Sequence, residues 1–180
     1  MGKPSIVIVL VEDGRQRQLL HRYLAQLRIR QKDIRFQVSP SGRGSAENWV
    51  RKQYPIEVRE YRRRRAQTRL IVMVDADKHA VTHRLSQLEQ ALKDEGIPQI
   101  KSREKIARLI PRRNVETWIL CLNGIPVDEE KDYKNGRDWN TLIHEAGNVL
   151  EENTRNYLQA TDSYIPSLQR GIRELRNMNS

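Results

Sequence analysis

Two runs of consecutive aliphatic residues constrain the fold of this chain more than any other feature. They cover residues 6–11 and 70–74. Uninterrupted β-branched and aliphatic runs of this length are typical of strands buried on both faces, as in a parallel sheet covered by helices. A segment with apolar residues at helical spacing follows each run, at 14–28 and at 80–93. We therefore predict an α/β fold, with an open parallel sheet flanked by helices.

Weaker patterns complete the predicted sheet. Residues 34–38 alternate between apolar and polar, and residues 106–110 form a short apolar stretch. Each predicts a further strand, so that the sheet has about four strands. Asn114 can begin a helix over 115–122, and Gly124 ends it.

Between the second and third predicted strands, the sequence predicts two helices. Ser45 can cap a helix that ends near residue 53. Pro55 is suited to the first turn of another helix, because its missing N–H group has no partner there, and that helix would reach about residue 67.

The chain divides near residue 125. Residues 1–125 contain all four predicted strands, whereas residues 126–180 predict a polar loop and two helices near 139–158 and 165–176. We interpret 1–125 as the main domain and 126–180 as a helical C-terminal extension. The extension is where we expect a contact with a partner protein or with a second copy in a homodimer.

The composition excludes several classes of protein. A single cysteine, Cys121, excludes an intramolecular disulfide, and with four histidines it leaves no ligand set for a structural zinc ion. This cysteine usage fits a reducing compartment, so we expect a cytoplasmic protein. No apolar run approaches the roughly 20 residues of a membrane span, and no signal peptide is expected.

The positive charge is concentrated in the first half of the chain. Residues 1–75 hold 17 Lys and Arg against 7 Asp and Glu, whereas residues 76–180 hold 16 of each. Six arginines in the first half lie close together in the sequence, and we call them the arginine run. Such a cluster of positive charge attracts polyanions such as nucleic acid, although it can also be a solvated helix face. The overall net charge of +10 favours nucleic-acid binding. The residues of this arginine run are Arg59, Arg62, Arg63, Arg64, Arg65 and Arg69.

Acidic residues follow the two strongest predicted strands. Glu12 comes directly after the first, and Asp75 and Asp77 come after the third. If these strands are parallel neighbours, their carboxyl ends meet at one edge of the sheet, where α/β proteins place their chemistry. Clustered carboxylates without nearby Cys or His ligands suit Mg²⁺ or Mn²⁺. The alternative is that Glu12 and Asp75 only cap the helices that follow them.

At these residues the sequence resembles the TOPRIM domain of topoisomerases, bacterial primases and OLD-family nucleases. The TOPRIM pattern is a glutamate after a first hydrophobic strand and an Asp-x-Asp after a later one, which match Val11-Glu12-Asp13-Gly14 and Val74-Asp75-Ala76-Asp77. The segment 110–118 resembles the acidic helix start that OLD-type nucleases place after their last core strand. The resemblance covers about residues 5–122 and implies a TOPRIM-like catalytic domain.

The resemblance also implies roles for individual residues. Glu12 would be a metal ligand or a general base, Asp75 and Asp77 would bind Mg²⁺, and Glu116 would complete a second metal position. Two positions depart from the pattern, because this chain has Gln16 and Asn114 where OLD-type nucleases tend to carry acids. The sequence therefore leaves open whether one or two metal ions bind.

Lys78, directly after the Asp-x-Asp motif, would neutralise charge that develops on the phosphate. The arginine run would bind the flanking phosphates.

A small stand-alone nuclease is the family member that fits a chain of 180 residues with one cysteine. Topoisomerases and primases need further domains. Small TOPRIM proteins are often encoded beside ATPases in bacterial anti-phage systems, so the resemblance implies a metal-dependent DNA or RNA nuclease with an ATPase partner. Two alternatives stay open: a non-catalytic module that binds nucleic acid through the arginine run, and a phosphotransfer enzyme that acts on mononucleotides.

Overall fold

A single parallel sheet lies at the centre of the protein. The structure, a computed structural model, describes residues 6–42, 44–64, 66–156 and 161–180. The sheet has four strands in the order β2-β1-β3-β4, and every neighbouring pair is parallel. This confirms the predicted fold class. The strands are β1 (Ile6–Val11), β2 (Ile34–Val38), β3 (Thr68–Met73) and β4 (Ile106–Leu109).

Helices cover both faces of the sheet. Alternate residues of β1 point to opposite faces, so Val7 and Val9 contribute to one apolar core while Ile8 and Leu10 contribute to the other. Helices α1, α4, α5 and α6 supply the first core, and α2 and α3 supply the second. The helices are α1 (Gly14–Gln26), α2 (Ala46–Arg63), α3 (Val81–Asp94), α4 (Val115–Leu122), α5 (Trp139–Arg155) and α6 (Pro166–Asn179), with short 3-10 helices at Gln31–Asp33 and Thr161–Ser163.

The two C-terminal helices share the core of the main sheet. Buried residues of α5 such as Leu150, and of α6 such as Ile172, belong to the same apolar cluster as β1. Trp118 of α4 is fully buried, and its indole N–H donates to the Ser167 hydroxyl at 2.9 Å. The apolar faces of α5 and α6 are thus used within the chain itself.

The prediction of two helices over 45–67 is wrong, because α2 is one continuous helix that contains Pro55. Ser45 caps it as expected, accepting from the backbone N–H of Asn48. A buried apolar stripe through Val50, Tyr54 and Val58 passes Pro55 and packs onto the sheet. That packing offsets the one helical hydrogen bond that the proline cannot donate.

The outer edge of β4 is hydrogen-bonded to side chains of α6. The backbone N–H of Arg108 donates to Glu174 Oε2 at 2.9 Å, and the backbone carbonyl of Arg108 accepts from Arg170 Nη1 at 2.8 Å. Side chains of a helix therefore satisfy backbone groups that a further strand would otherwise pair.

Among the helices that the structure describes, none combines the length and the apolar character needed to span a membrane.

Candidate active site

Glu12 and Asp75 meet at the carboxyl edge of the sheet. The parallel pairing of β1 with β3 brings the two strand ends together, as the sequence predicts. Glu12 Oε1 accepts a short hydrogen bond from the backbone N–H of Asp75. Gln16 joins the pair from the first turns of α1, because its Nε2 donates to Glu12 Oε1 at 3.2 Å and to Asp75 Oδ1 at 3.0 Å. The three side chains form one hydrogen-bonded cluster, which we call the carboxylate cluster.

Helix capping does not account for these two acids. The N-cap of α1 is Asp13, whose Oδ1 accepts from the backbone N–H of Gln16 at 3.0 Å. The N-cap of α3 is Ala80, five residues beyond Asp75. Glu12 and Asp75 therefore face each other across two strand ends instead of capping the helices that follow.

Burial and mutual repulsion make ionisation of both carboxyls costly. Burial raises the pKa of Glu12 to about 7, against an ordinary value of 4.5, with the Asp75 N–H and Gln16 opposing the rise. Asp75 is 6% exposed, and burial raises its pKa well above the ordinary range, with further contributions from the negative charges of Glu12 and Asp13. No Lys, Arg or His of the described chain lies within ion-pair distance of the Asp75 carboxylate. An added cation would therefore relieve a real electrostatic cost.

Asp77 lies beside this cluster on a constrained turn. Its φ is +54°, a left-handed conformation that is uncommon for residues other than glycine. A backbone bridge to Arg113, whose φ is +61°, maintains the turn, and the Asp77 N–H donates to the Arg113 carbonyl at 3.0 Å. The Asp77 side chain is 55% exposed and pairs with Arg84 at 3.3 Å.

Arg84 is a buried arginine that organises the segment after β3. It is 3% exposed, and its Nε donates to the Asp75 carbonyl at 3.0 Å. It also pairs with Asp77, and with Glu47 of α2 at 2.8 Å. A single side chain from α3 thus restrains the whole Asp-x-Asp segment.

Glu116 is buried in the first turn of α4 and is paired with Arg15. Glu116 Oε1 lies 2.5 Å from Arg15 Nη1, while Glu116 Oε2 is buried without a hydrogen-bond partner. Arg15 stacks on the ring of Trp139 at 4.7 Å and donates to the Lys134 carbonyl at 3.2 Å. Glu116 is close enough for its charge to contribute to the raised pKa of Asp75.

A divalent cation fits the Glu12 and Asp75 part of this arrangement. The donors are all oxygens, as Mg²⁺ and Mn²⁺ prefer, and the buried Asp75 carboxylate has no cation of its own in the described chain. Within the described ranges, no three Asp, Glu, His or Cys side chains stand close enough together to hold a metal ion. Asp77 and Glu116 each pair with an arginine instead. They would join a metal only after leaving Arg84 and Arg15.

The structure places the described arginines of the run at the opposite edge of the sheet, where the strands begin. Arg59, Arg62 and Arg63 lie in the last turns of α2, and Arg69 lies near the start of β3. Asp75 lies six positions after Arg69 along the extended chain of β3 and its continuation, a distance of about 20 Å at ~3.3 Å per residue. The run and the carboxylate cluster are therefore not brought together, in contrast to the expectation that the arginines flank the same phosphates.

Most of the run is engaged in ion pairs. Arg62 makes a bidentate pair with Glu104, at 2.7 and 2.9 Å, and also donates to the backbone carbonyls of Pro98 and Gln99. Arg69 is half-buried, and burial lowers its pKa. Arg65 lies outside the described residues. The remaining pairs are Arg59 with Glu95, Arg63 with Glu60 and Arg64 with Glu57.

Lys78 lies in the loop after β3, three residues beyond Asp75. It is exposed and borders a cavity of about 310 Å³ that also includes Asp77 and Asn114. In the sequence it comes directly after the Asp-x-Asp motif.

Sequence reasoning missed Arg15 and Arg84, and it treated Gln16 only as a departure from a pattern. The position of Gln16, one helical turn after Glu12, is the signal for its contact with the cluster. Arg84 and Arg15 carry no such signal, because their partners lie in other elements of the fold.

Comparison of this chain with family models, with curated proteins and with solved structures finds no match. The TOPRIM resemblance therefore stays a hypothesis that rests on the motifs at the strand ends.

Proposed function

We propose that this protein is a metal-dependent nuclease that hydrolyses phosphodiester bonds at the carboxylate cluster. One observation carries the proposal: the buried Asp75 carboxylate meets Glu12 at the carboxyl edge of a parallel sheet, with no cation from the described chain beside it. A buried pair of carboxylates without a cation costs free energy to ionise, and titratable groups perturbed in this way cluster at functional sites.

In this proposal Glu12 and Asp75 hold Mg²⁺ or Mn²⁺, with Gln16 orienting both side chains. When bound, the ion would polarise the scissile phosphate and lower the pKa of an attacking water. Asp77 and Glu116 are candidates for further ligands after release from Arg84 and Arg15. Lys78 is the candidate that balances negative charge on the phosphate.

The biological setting of the proposal comes from the TOPRIM resemblance, from the helical C-terminal extension as a contact surface, and from the cysteine usage. It comprises a DNA or RNA substrate, a bacterial anti-phage system, an ATPase partner protein, and a homodimer in the cytoplasm. The +10 net charge supports a polyanionic substrate.

A non-catalytic nucleic-acid-binding module is the second candidate. The observation in its favour is that the described residues bring no three metal ligands together. The ion pairing of the arginine run weighs against it, since those cations already have carboxylate partners.

The test is cleavage of supercoiled plasmid, single-stranded DNA and transfer RNA, each with Mg²⁺, Mn²⁺ or EDTA. Wild type is compared with Asp75→Asn, which keeps the size of the side chain and removes its charge. The matched control is Asp94→Asn, an exposed aspartate near the end of α3. We expect metal-dependent cleavage by wild type and the control, and none by Asp75→Asn.

Cleavage that survives in Asp75→Asn would assign the activity to another site or to a contaminant. Absence of cleavage by wild type with every substrate, together with equal nucleic-acid binding by wild type and Asp75→Asn, would favour the binding module.

A further inference from the structure

Two lysines without carboxylate partners line a cavity that also includes Asp77 of the Asp-x-Asp segment. The cavity has a volume of about 310 Å³ and lies between the loop after β3, the turn before α4 and the loop before α5. Lys78 and Lys134 both line it and both are exposed. No Asp or Glu of the described chain approaches either ammonium group within ion-pair distance. In contrast, the arginines in the last turns of α2, Arg59, Arg62 and Arg63, each pair with a glutamate.

The acids of the cavity are already paired with arginines. Asp77 pairs with Arg84 at 3.3 Å, and Asp132 pairs with Arg113 at 3.8 Å. Asp132 also accepts from the backbone N–H of Lys134 at 3.0 Å, which fixes that loop against the cavity wall. The charges left without a partner are therefore positive, and they suit an anionic ligand.

A buried acceptor lines the same cavity. Asn114 is 1% exposed, and its Oδ1 has no hydrogen-bond partner among the residues that the structure describes. Its Nδ2 is used, because it donates to Asp132 Oδ1 at 3.3 Å. A buried acceptor without a donor destabilises the protein, so a ligand that donates a hydrogen bond there gains binding energy.

The two ammonium groups suit phosphates, and the buried acceptor suits a hydroxyl or amino group. One nucleotide of a nucleic-acid strand carries both kinds of group. We propose that this cavity binds a nucleotide of the substrate, with its phosphates on Lys78 and Lys134 and a hydroxyl or amino group donating to Asn114 Oδ1. The inference rests on the proposed function, since it assumes a nucleic-acid substrate. It moves the binding surface from the arginine run to the carboxyl edge, where the carboxylate cluster lies.

The test measures binding separately from cleavage. The probes are two fluorescent single strands of about 20 nucleotides, one of DNA and one of RNA. This length exceeds that of a usual binding site for single strands. They are titrated in EDTA at several salt concentrations with wild type and Lys78→Ala/Lys134→Ala. The matched control is Arg59→Ala/Arg63→Ala, which removes the same charge from exposed positions at the other edge. Thermal melting checks that all variants are folded.

The expected effect follows from counterion release. Each phosphate contact contributes about −0.7 to the slope of log K against log salt for single strands, so losing two changes the slope by about 1.4 and weakens binding about 25-fold at ~0.1 M salt. The control should bind like wild type. Asn114→Ala should weaken binding without changing the slope, because the contact is uncharged, and a larger loss for RNA than for DNA would assign the donor to the 2′-hydroxyl.

Equal losses in the two double variants, or a larger loss in the arginine variant, would overturn the inference. Failure of the wild type to bind either strand would overturn it too. Failure of the nuclease proposal looks different: the lysine variant would still bind weakly relative to wild type, while no metal-dependent cleavage would occur in any variant.

Discussion

Replacement of Glu12 by glutamine should stabilise the metal-free protein, and the gain should grow with pH. In the folded protein, burial raises the pKa of Glu12 to about 7, whereas the ordinary value of 4.5 applies to the unfolded chain. Below pH 4.5 the carboxyl is protonated in both states, so its effect on folding is absent. Between pH 4.5 and about 7 the unfolded chain is ionised while the folded state keeps its proton, so stability is lost across this window and changes little above it.

The size of the effect follows from the two pKa values. A tenfold change in proton affinity is worth about 1.4 kcal/mol, so the difference between 4.5 and about 7 corresponds to about 3 kcal/mol. Glutamine keeps an oxygen that can accept from the Asp75 N–H and carries no charge at any pH. It also removes one of the negative charges that raise the pKa of Asp75.

The assay is urea unfolding of wild type and Glu12→Gln in EDTA between about pH 4 and pH 8.5. We expect the difference in unfolding free energy between them to increase by about 3 kcal/mol across this range. Glu145→Gln, an exposed position on α5, is the control and should follow wild type. A difference that stays constant with pH, or that shrinks, would refute the assignment of an electrostatic cost to Glu12.

Three further perturbations test other parts of the structure. Mn²⁺ at a free concentration ten times its dissociation constant should stabilise wild type by about 1.4 kcal/mol in thermal melting, and Asp75→Asn should not respond. Arg15→Leu should cost about 2 kcal/mol in denaturant unfolding, because it leaves the buried Glu116 carboxylate without its cation. Gly171→Ala should cost about 2–3 kcal/mol, since its Cβ would lie 2.2 Å from Cη2 of the buried Trp118 ring.

Each of these has a matched comparison. Arg15→Leu combined with Glu116→Gln should recover most of the lost stability, and failure to recover would show that stacking on Trp139 matters more than charge. Gly14→Ala should change stability little, because nothing lies within 4 Å of the added atom. Equal losses at Gly14 and Gly171 would contradict the packing argument. A metal response retained by Asp75→Asn would place the ion elsewhere.

The sheet and the meeting of its acids could be predicted because both depend on local pattern and on general topology. The aliphatic runs at 6–11 and 70–74 each indicate a buried parallel strand. Once those strands are neighbours, Glu12 and Asp75 must lie at the same edge. The predicted break before Pro55 is absent from α2, because packing of its apolar stripe on the sheet outweighs the local preference of proline.

Side-chain pairings between distant elements could not be predicted. The density of Arg59–Arg69 is visible along the chain, but its partners Glu95 and Glu104 lie more than thirty positions away in the sequence. The same holds for Arg84 with Glu47 of α2, and for Arg15 of α1 with Glu116 of α4, which are 101 positions apart. The sequence shows where positively charged residues are abundant, whereas the fold determines which of them lack a carboxylate partner.

The bonds between α6 and Arg108 have a consequence for how this protein can assemble. Edge strands invite added strands, from a second copy or from an extended peptide, through their unpaired backbone groups. At Arg108 of β4 those groups are already occupied by Glu174 and Arg170. A strand arriving at this point would have to displace a helix whose Leu175 is fully buried. Growth of the sheet is blocked on that side, which leaves β2 as the edge through which strand exchange between molecules could begin.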